Sequence, residues 1–261
     1  MFKLEVLSEF DPFKDLLSYA ELSGGRPFTE PFAEHALRAY NHWRLLKKRV
    51  LTSLSRILQQ SGEKVDLAIS LAVLLHDSGK LTTLYQDYLN QRLKGKADAI
   101  GFRHEAISTY ILLNCLSQVN FNMKFNQLIA GAVLFHHEAI TQQKLRKRVD
   151  VIIGPLHNKY PSGIILFTPK IIELLNKLTN TTLQLNIKFN EKILINNMRS
   201  NFVTMFQFFD PDNPVDLHVR RLRVAAVHQI ISVCDNRAAY EVRPHKDYPF
   251  IREVIDGGWK Y

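Results

Sequence analysis

Leu71-Ala72-Val73-Leu74-Leu75-His76-Asp77-Ser78-Gly79-Lys80 is the stretch on which the reading of this chain turns. An apolar run stops at a His-Asp pair, and Ser, Gly and Lys follow. From Ala68 to Leu75 there is almost no polar face, which predicts a helix buried on all sides. Gly79 is expected to end that helix in a left-handed cap. A rigid buried rod then carries an imidazole and a carboxylate at its C-terminal end, and both are ligands for divalent metals. A buried carboxylate is costly unless its charge is paired or coordinated. Taken alone, the pair reads as an internal His-Asp hydrogen bond at a helix end; the rest of the chain reverses that preference.

The 261 residues suit one large domain, or one domain with an insertion. Hydrophobic residues make up 46%, which supplies a full core and argues against global disorder. Lys plus Arg number 34 against 25 Asp plus Glu, a formal charge of +9 with a pI of about 9.5. That balance favours a polyanionic partner such as nucleic acid. Cys115 and Cys234 form no C-x-x-C pair and read as reduced core thiols of a cytoplasmic protein. Residues 1–6 show no signal-peptide pattern, and no apolar run approaches the ~20 residues that span a bilayer, so no membrane association is expected.

Along the chain, residues 1–28 read as a short lead-in and a loop punctuated by Ser23-Gly24-Gly25-Arg26-Pro27. Thr29-Glu30-Pro31 reads as a helix start, with Thr29 as cap and Pro31 in the first turn. The helix that follows should reach about residue 60, with Leu37, Leu45, Leu51, Leu54 and Leu58 in its apolar stripe, and stop at Ser61-Gly62. His35 lies in its first turns and His42 on the same face two turns on. Further helices are predicted over residues 81–94, 104–119 and 123–138, with a mobile basic loop at 94–101 and a basic patch at 145–148. The third of these ends in His136-His137, repeating the pattern at His76: a buried helix delivering polar groups at its C-terminus. Residues 150–214 are broken by Gly154-Pro155 and further Pro and Gly positions. They are expected to carry one or two helices, near 169–178 and 192–209, and to form an insertion over a helical core. A last long helix should run from Asp216 to about residue 242, carrying Arg220, Arg221, Arg223, His228 and Asp235, before a short irregular tail over 244–261.

His35, His76-Asp77, His104, His136-His137 and Asp235 thus lie on different predicted helices, which can converge inside a bundle. The order His, His-Asp, distant Asp is a metal-phosphohydrolase signature. Four of these residues make one metal site. His104, His136 and His137 suffice for a second, with Asp77 bridging. Two ions about 3.5–4 Å apart stabilise the attacking and leaving oxygens of a displacement at phosphorus. An imidazole-rich set suits manganese, cobalt, nickel or iron better than a carboxylate-only site would, and magnesium is the further candidate. Adjacent helical residues diverge by roughly 100°, so His136 and His137 share a direction only if the helix frays.

At these residues the chain resembles a known family. Leu75-His76-Asp77-Ser78-Gly79-Lys80 is similar to the HD-superfamily motif. Together with His35, His104-Glu105, Phe135-His136-His137 and Asp235-Asn236-Arg237, it resembles the CRISPR-associated HD nuclease, the nuclease part of the helicase–nuclease of type I CRISPR interference. The resemblance covers roughly residues 30–140 and 216–240. It implies an all-α HD-domain bundle with the metal site at its centre, and metal-dependent cleavage of single-stranded DNA exposed by a target-bound surveillance complex. Carried over, His35, His76, Asp77 and Asp235 hold one ion; Asp77, His104, His136 and His137 hold the other; Lys80 lies near the scissile phosphate. The sequence contains no G-x-x-x-x-G-K-[ST] phosphate loop, so the helicase is expected to be a separate partner.

Two other readings stand beside this one. The first is a nucleotide or cyclic-nucleotide phosphohydrolase of the same superfamily, which would need a closed pocket; the second is a non-catalytic adaptor with a structural HD site. Lys80 reads equally as a cation at a helix end. His42 and His228 read as supporting or core residues. Arg220, Arg223 and Arg237 are candidates for nucleic-acid contact. They form a track with Lys47-Lys48-Arg49 or residues 144–148 only if two such clusters lie on the site's side.

Overall fold

In a computed structural model, the structure describes residues 7–96, 100–137, 149–210 and 213–243. The basic patch at 145–148, the tail at 244–261 and part of the 94–101 loop lie outside the described residues. The fold is helical, as expected. It comprises α1 (Phe32–Leu58), α2 (Gly62–Leu75), α3 (Thr83–Leu93), α4 (His104–Gln118), α5 (Met123–Leu134), α6 (Val149–Lys159), α7 (Pro169–Leu183), α8 (Ile195–Phe209) and α9 (Pro214–Tyr240). Two small antiparallel sheets were not foreseen: β1 (Leu17–Ser23) with β2 (Arg26–Pro31), and β3 (Ile164–Leu166) with β4 (Lys192–Leu194).

The first hairpin overturns the expected helix start at Thr29. Ser23 pairs with Arg26, leaving Gly24-Gly25 as a two-residue turn with φ of 57° and 77°. A turn with both central residues left-handed matches the twist of an antiparallel pair, and glycine adopts it without strain. Pro27 and Pro31 hold the residues before them extended, so the chain stays in strand until Phe32. Gln86 of α3 clasps the hairpin, donating to Leu17 O at 2.8 Å and accepting from Leu17 N at 2.9 Å.

α2 is the buried rod that its sequence predicts. Val65, Ile69, Leu71, Val73, Leu74 and Leu75 are fully buried, because α1, α4, α5, α7 and α9 all pack against it. Ser61 does not stop α1 but caps α2, accepting from Lys64 N at 3.4 Å; α1 ends instead at Gln59, with φ 55°. Trp43 of α1 is buried and donates to Asp66 Oδ1 at 2.9 Å and Ser70 Oγ at 3.1 Å, while Lys47 reaches Asp66 Oδ2 at 2.6 Å. Leu45, placed in the apolar stripe by spacing, is exposed.

Residues 150–214 share the core rather than lying over it. Ile152, Leu156, Leu174, Leu178, Phe202 and Phe209 belong to the same hydrophobic cluster as the α2 side chains. Gly154-Pro155 lies inside α6 instead of breaking it. The carbonyl that Pro155 leaves without a helical donor belongs to Val151, which is exposed and can be hydrated. The Gly131 backbone packs under the Phe209 ring, where a Cβ would come within 2.6 Å.

Gly79 has a different role from the one expected. Its φ is not positive; α2 runs directly into a 3-10 turn over Ser78–Leu81. The last carbonyls of the rod are taken by local donors: Val73 O by His76 Nδ1 at 2.8 Å, Leu75 O by Ser78 Oγ at 2.7 Å, and Asp77 O by Lys80 N at 2.8 Å. No left-handed cap is therefore needed. Glycine is required because a Cβ at residue 79 would sit 2.1 Å from the backbone oxygen of His104. Gly79→Ala should thus force α4 away from α2, costing about 2 kcal/mol or more. The check is urea unfolding of the variant beside wild type; an unchanged midpoint would contradict the close approach.

Candidate metal centre

Five histidines and two aspartates converge at the end of α2. Asp77 follows the rod directly, and its two oxygens face opposite groups. Oδ2 lies 3.7 Å from both His35 Nε2 and His76 Nε2. Oδ1 lies 3.0 Å from His104 Nε2, 3.5 Å from His136 Nε2 and 3.8 Å from His137 Nε2. Asp235 of α9 closes the first group, with Oδ1 3.1 Å from His35 Nε2 and 3.5 Å from His76 Nε2. The donor atoms of His35, His76, Asp77 and Asp235 lie within 4.8 Å of one another, as do those of Asp77, His104, His136 and His137.

α5 stops at Leu134 rather than reaching residue 138, and that resolves the divergence of His136 and His137. Phe135, His136 and His137 form a turn, so both rings face Asp77, with centroids 3.9 Å apart. α9 holds this turn: His228 Nε2 donates to Phe135 O at 2.9 Å and Ser232 Oγ to His136 O at 3.1 Å. His136 is buried; the His137 side chain is 38% exposed and stands at the mouth of the centre.

The tautomers follow from the partners. His76 Nδ1 donates to Val73 O at 2.8 Å and His136 Nδ1 to Val133 O at 2.7 Å. A carbonyl only accepts, so in the neutral rings Nε2 carries the lone pair. Both Nε2 atoms are buried and meet no hydrogen-bond partner among the described residues. A lone pair aimed at carboxylate oxygens 3.5–3.7 Å away is unfavourable unless a cation lies between them. The donor set of imidazole nitrogens and carboxylate oxygens suits divalent transition ions. The residues present therefore fit a bound divalent metal.

The charges are arranged to the same end. Burial pushes the Asp77 carboxyl up, but Lys80 and the surrounding imidazoles outweigh it and hold it well below the usual carboxylate range. Asp235 is likewise held down, against burial, by its hydrogen bond from His35. Burial, aided by the neighbouring His137, lowers His136 to about 3, so it is neutral. Lys80 is buried with Nζ 2.6 Å from Asp77 Oδ2, an internal counter-ion.

Sequence reasoning missed Glu30. It lies one residue before the end of β2, fully buried, with Oε1 2.9 Å from His35 Nδ1, and Oε2 accepts from Arg243 at 2.8 Å. Its signal was a buried-facing carboxylate held extended by the proline after it and five residues before a candidate ligand. Glu105, beside His104, is also buried, with Oε2 3.4 Å from His104 Nδ1. The structure does not bring Arg220 and Arg223 to the centre. The Arg220 guanidinium lies 4.5 Å over the Phe208 ring and donates to Phe208 O, and Arg223 donates to Ile57 O at 2.9 Å. At ~1.5 Å per residue along α9 they are about 18–22 Å from Asp235. Arg237 is half-buried near His42, which lies 3.0 Å from Glu241 Oε1.

A helical bundle that gathers a His/Asp cluster around one buried His-Asp pair is an HD-type domain. The sequence profile of the family described as Cas3, HD domain, matches residues 21–188, more than half of the chain, and the chain belongs to that family. The match begins at the hairpin, continues through α6 and α7, and stops short of Asp235. Two curated proteins named CRISPR-associated endonuclease Cas3-HD are similar. One, from Pyrococcus furiosus, is 29% identical over 120 residues, 43% of this chain and 48% of that protein. The other, from Methanocaldococcus jannaschii, is 28% identical over 118 residues, 43% of this chain and 47% of that protein. The chain thus spans about half (48% and 47%) the length of these relatives. The solved CRISPR-associated Cas3 HD domain protein from Methanocaldococcus jannaschii shares the fold, with TM-score 0.58 at 20% identity over 77% of this chain and 95% of that one.

The Glu30–His35 pair gives the chelated protein a defined pH response. Against burial, Glu30 and Asp235 raise His35 from 6.5 to about 9; His35 and Arg243 hold Glu30, ordinarily 4.5, at about 2. The stability carried by His35 is complete below its ordinary value and lost as pH rises through about 9. That carried by Glu30 is complete above its ordinary value and lost as pH falls through about 2. In chelator, the urea-stability gap between wild type and Glu30→Gln should be wider near pH ~5.5 than near pH ~9.5, where His35 has lost its proton and the Arg243 contact alone remains. An equal gap at both would refute the pairing.

Proposed function

We propose that this protein is a metal-dependent nuclease that hydrolyses phosphodiester bonds of single-stranded DNA in type I CRISPR interference. The observation that carries this reading is the division of Asp77: one carboxylate oxygen faces the His35/His76/Asp235 group and the other faces the His104/His136/His137 group. In this reading His35, His76, Asp77 and Asp235 hold one divalent ion, and Asp77, His104, His136 and His137 hold the second. Such a pair of ions polarises a phosphodiester and stabilises its attacking and leaving oxygens. The chain's own residues position that chemistry. Asp77 sets the spacing of the two groups, Val73 and Val133 fix two ring tautomers, and the α9 side chains hold the His136-His137 turn. Lys80 supplies a positive charge beside Asp77 for the phosphate.

Family membership and the names of the curated relatives support the nuclease reading. The exposure of His137 supports access from its side of the centre. A flexible single strand can enter such a cleft at helix ends more readily than a stiff duplex, whose grooves admit protein elements instead. A helicase and a target-bound surveillance complex are the partners this reading implies.

Purified protein should degrade a labelled single-stranded oligonucleotide with manganese or a similar ion, lose that activity in chelator, and act poorly on blunt duplex. Activity confined to mononucleotides would favour the small-molecule phosphohydrolase reading. Asp77→Asn should bind no ion and lose essentially all cleavage; it is a better variant than Asp77→Ala, which strands buried Lys80 beside a void. His104→Ala should retain about one ion per chain with much weaker turnover. Elemental analysis beside activity decides: full metal content and cleavage in Asp77→Asn would make the His-Asp pair merely structural.

A further inference from the structure

We infer that Glu30, locked by Arg243, is a positioning residue for the His35 half of the centre, so that α9 and the turn that follows it control both ring nitrogens of His35. The inference rests on the metal-centre reading above. Asp235 of α9 lies 3.1 Å from His35 Nε2. On the other side, His35 Nδ1 lies 2.9 Å from Glu30 Oε1. The second oxygen of Glu30 accepts from Arg243 Nε at 2.8 Å and lies 2.7 Å from its terminal nitrogen. Arg243 follows α9 by three residues, and the turn that leads into it is closed by its own N–H donating to Ala239 O at 2.9 Å. It stands eight residues after Asp235, about two helical turns on and so close to the same face.

A buried Glu–Arg pair is by itself weak evidence of anything but packing, because an apolar pair of similar volume often stabilises as well. Three observations favour a positioning role. The oxygens of Glu30 are divided, Oε1 to the imidazole with Arg38 farther off at 3.8 Å and Oε2 to the Arg243 guanidinium, so the carboxylate cannot rotate without losing a close charged partner. Arg243 is itself placed by a second contact, with its guanidinium 4.2 Å over the Tyr19 ring of β1. Finally, His35 differs from His76 and His136. Those rings sit where helices end and donate Nδ1 to backbone carbonyls left over there. His35 sits in the first turns of α1, where the backbone carbonyls enter the helix's own bonds, so its Nδ1 needs a side-chain acceptor. A carboxylate acceptor fixes the ring and makes Nε2 a stronger donor to a cation than a carbonyl does.

The test measures manganese binding by calorimetry, with histidine ring 15N NMR of the chelated proteins, for wild type, Glu30→Gln and Arg243→Gln. Wild type should bind two ions. In each variant one affinity should fall roughly 10- to 100-fold while the other holds, and in chelator the His35 ring signals should shift while those of His136 stay. Should Glu30→Gln fail to fold, Arg243→Gln carries the test, since it leaves every carboxylate and imidazole of the centre in place. Unchanged affinities in folded variants, or an equal fall in both, overturn the inference while leaving the two-ion reading intact. A wild type that binds no ion overturns the metal-centre reading and this inference with it.

Discussion

Burial of the Asp77 carboxylate is the constraint on which the rest of the structure depends. Dehydrating an ion costs several kcal/mol, even after the surroundings relax. The cost is offset along α2, whose fully buried Val, Ile and Leu side chains contribute roughly 1.5–3 kcal/mol each. The rod can therefore carry a charge to the middle of the bundle, but only if both oxygens of that charge find partners. Lys80 and the two imidazole groups are those partners. The close pass of Gly79 under the backbone of His104 lets α4 approach near enough to supply one of them.

The imidazoles are held by two devices, and helix geometry decides which is used where. An α-helix leaves its final carbonyls without donors. His76 and His136, each placed just beyond a helix end, donate Nδ1 to the carbonyl three residues back. Helix termination and choice of tautomer are then one event. At a helix N-terminus there is no spare carbonyl, and the histidines there, His35 and His104, have carboxylates instead: Glu30 at 2.9 Å and Glu105 at 3.4 Å. Each half of the centre thus has one ring held by backbone and one backed by a carboxylate, and His137 is the additional, half-exposed ring of the second half.

This division also explains what could be read in the sequence. His76, Asp77 and His136-His137 were legible because polar residues closing an apolar run are a local signal, although His136-His137 sit in a turn beyond the helix rather than on it. His35, His104 and Asp235 were legible through the family resemblance and their order. The hairpin was not, because β1 and β2 are short and their alternation is weak; only Gly24-Gly25 marked the turn. Nor was the β3–β4 pair, whose three-residue strands carry no period and meet across α7. Glu30 escaped because its role depends on Arg243, 213 residues away. The stripe on α1 was misplaced at Leu45 for another reason: a helical spacing fixes a face but not its width. The Arg220 and Arg223 cluster read as a charged face, yet those side chains cap backbone carbonyls of Phe208 and Ile57.

Charge balance ties the fold to the site. Four buried carboxylates stand in and beside the centre, and each has a cationic partner from the chain itself: Asp77 with Lys80, Asp235 with His35, Glu30 with Arg243, and Glu105 with Arg103. Burial lowers both His104 and His136, which suits those two rings to neutrality. The fold is therefore not built like small domains whose cohesion comes from the metal they bind, where chelation is denaturation. Its cohesion comes from the apolar faces around α2, and its internal ion pairs hold the donors in register. Two of those pairs engage oxygens that also face the histidine groups, so a cation bound there would compete with Lys80 and with the proton on His35 rather than with solvent. On the proposed reading, affinity at this centre would be a difference between two well-satisfied arrangements, and residues that tune the internal one, Glu30 and Lys80 above all, would set it as directly as the atoms that touch the ion.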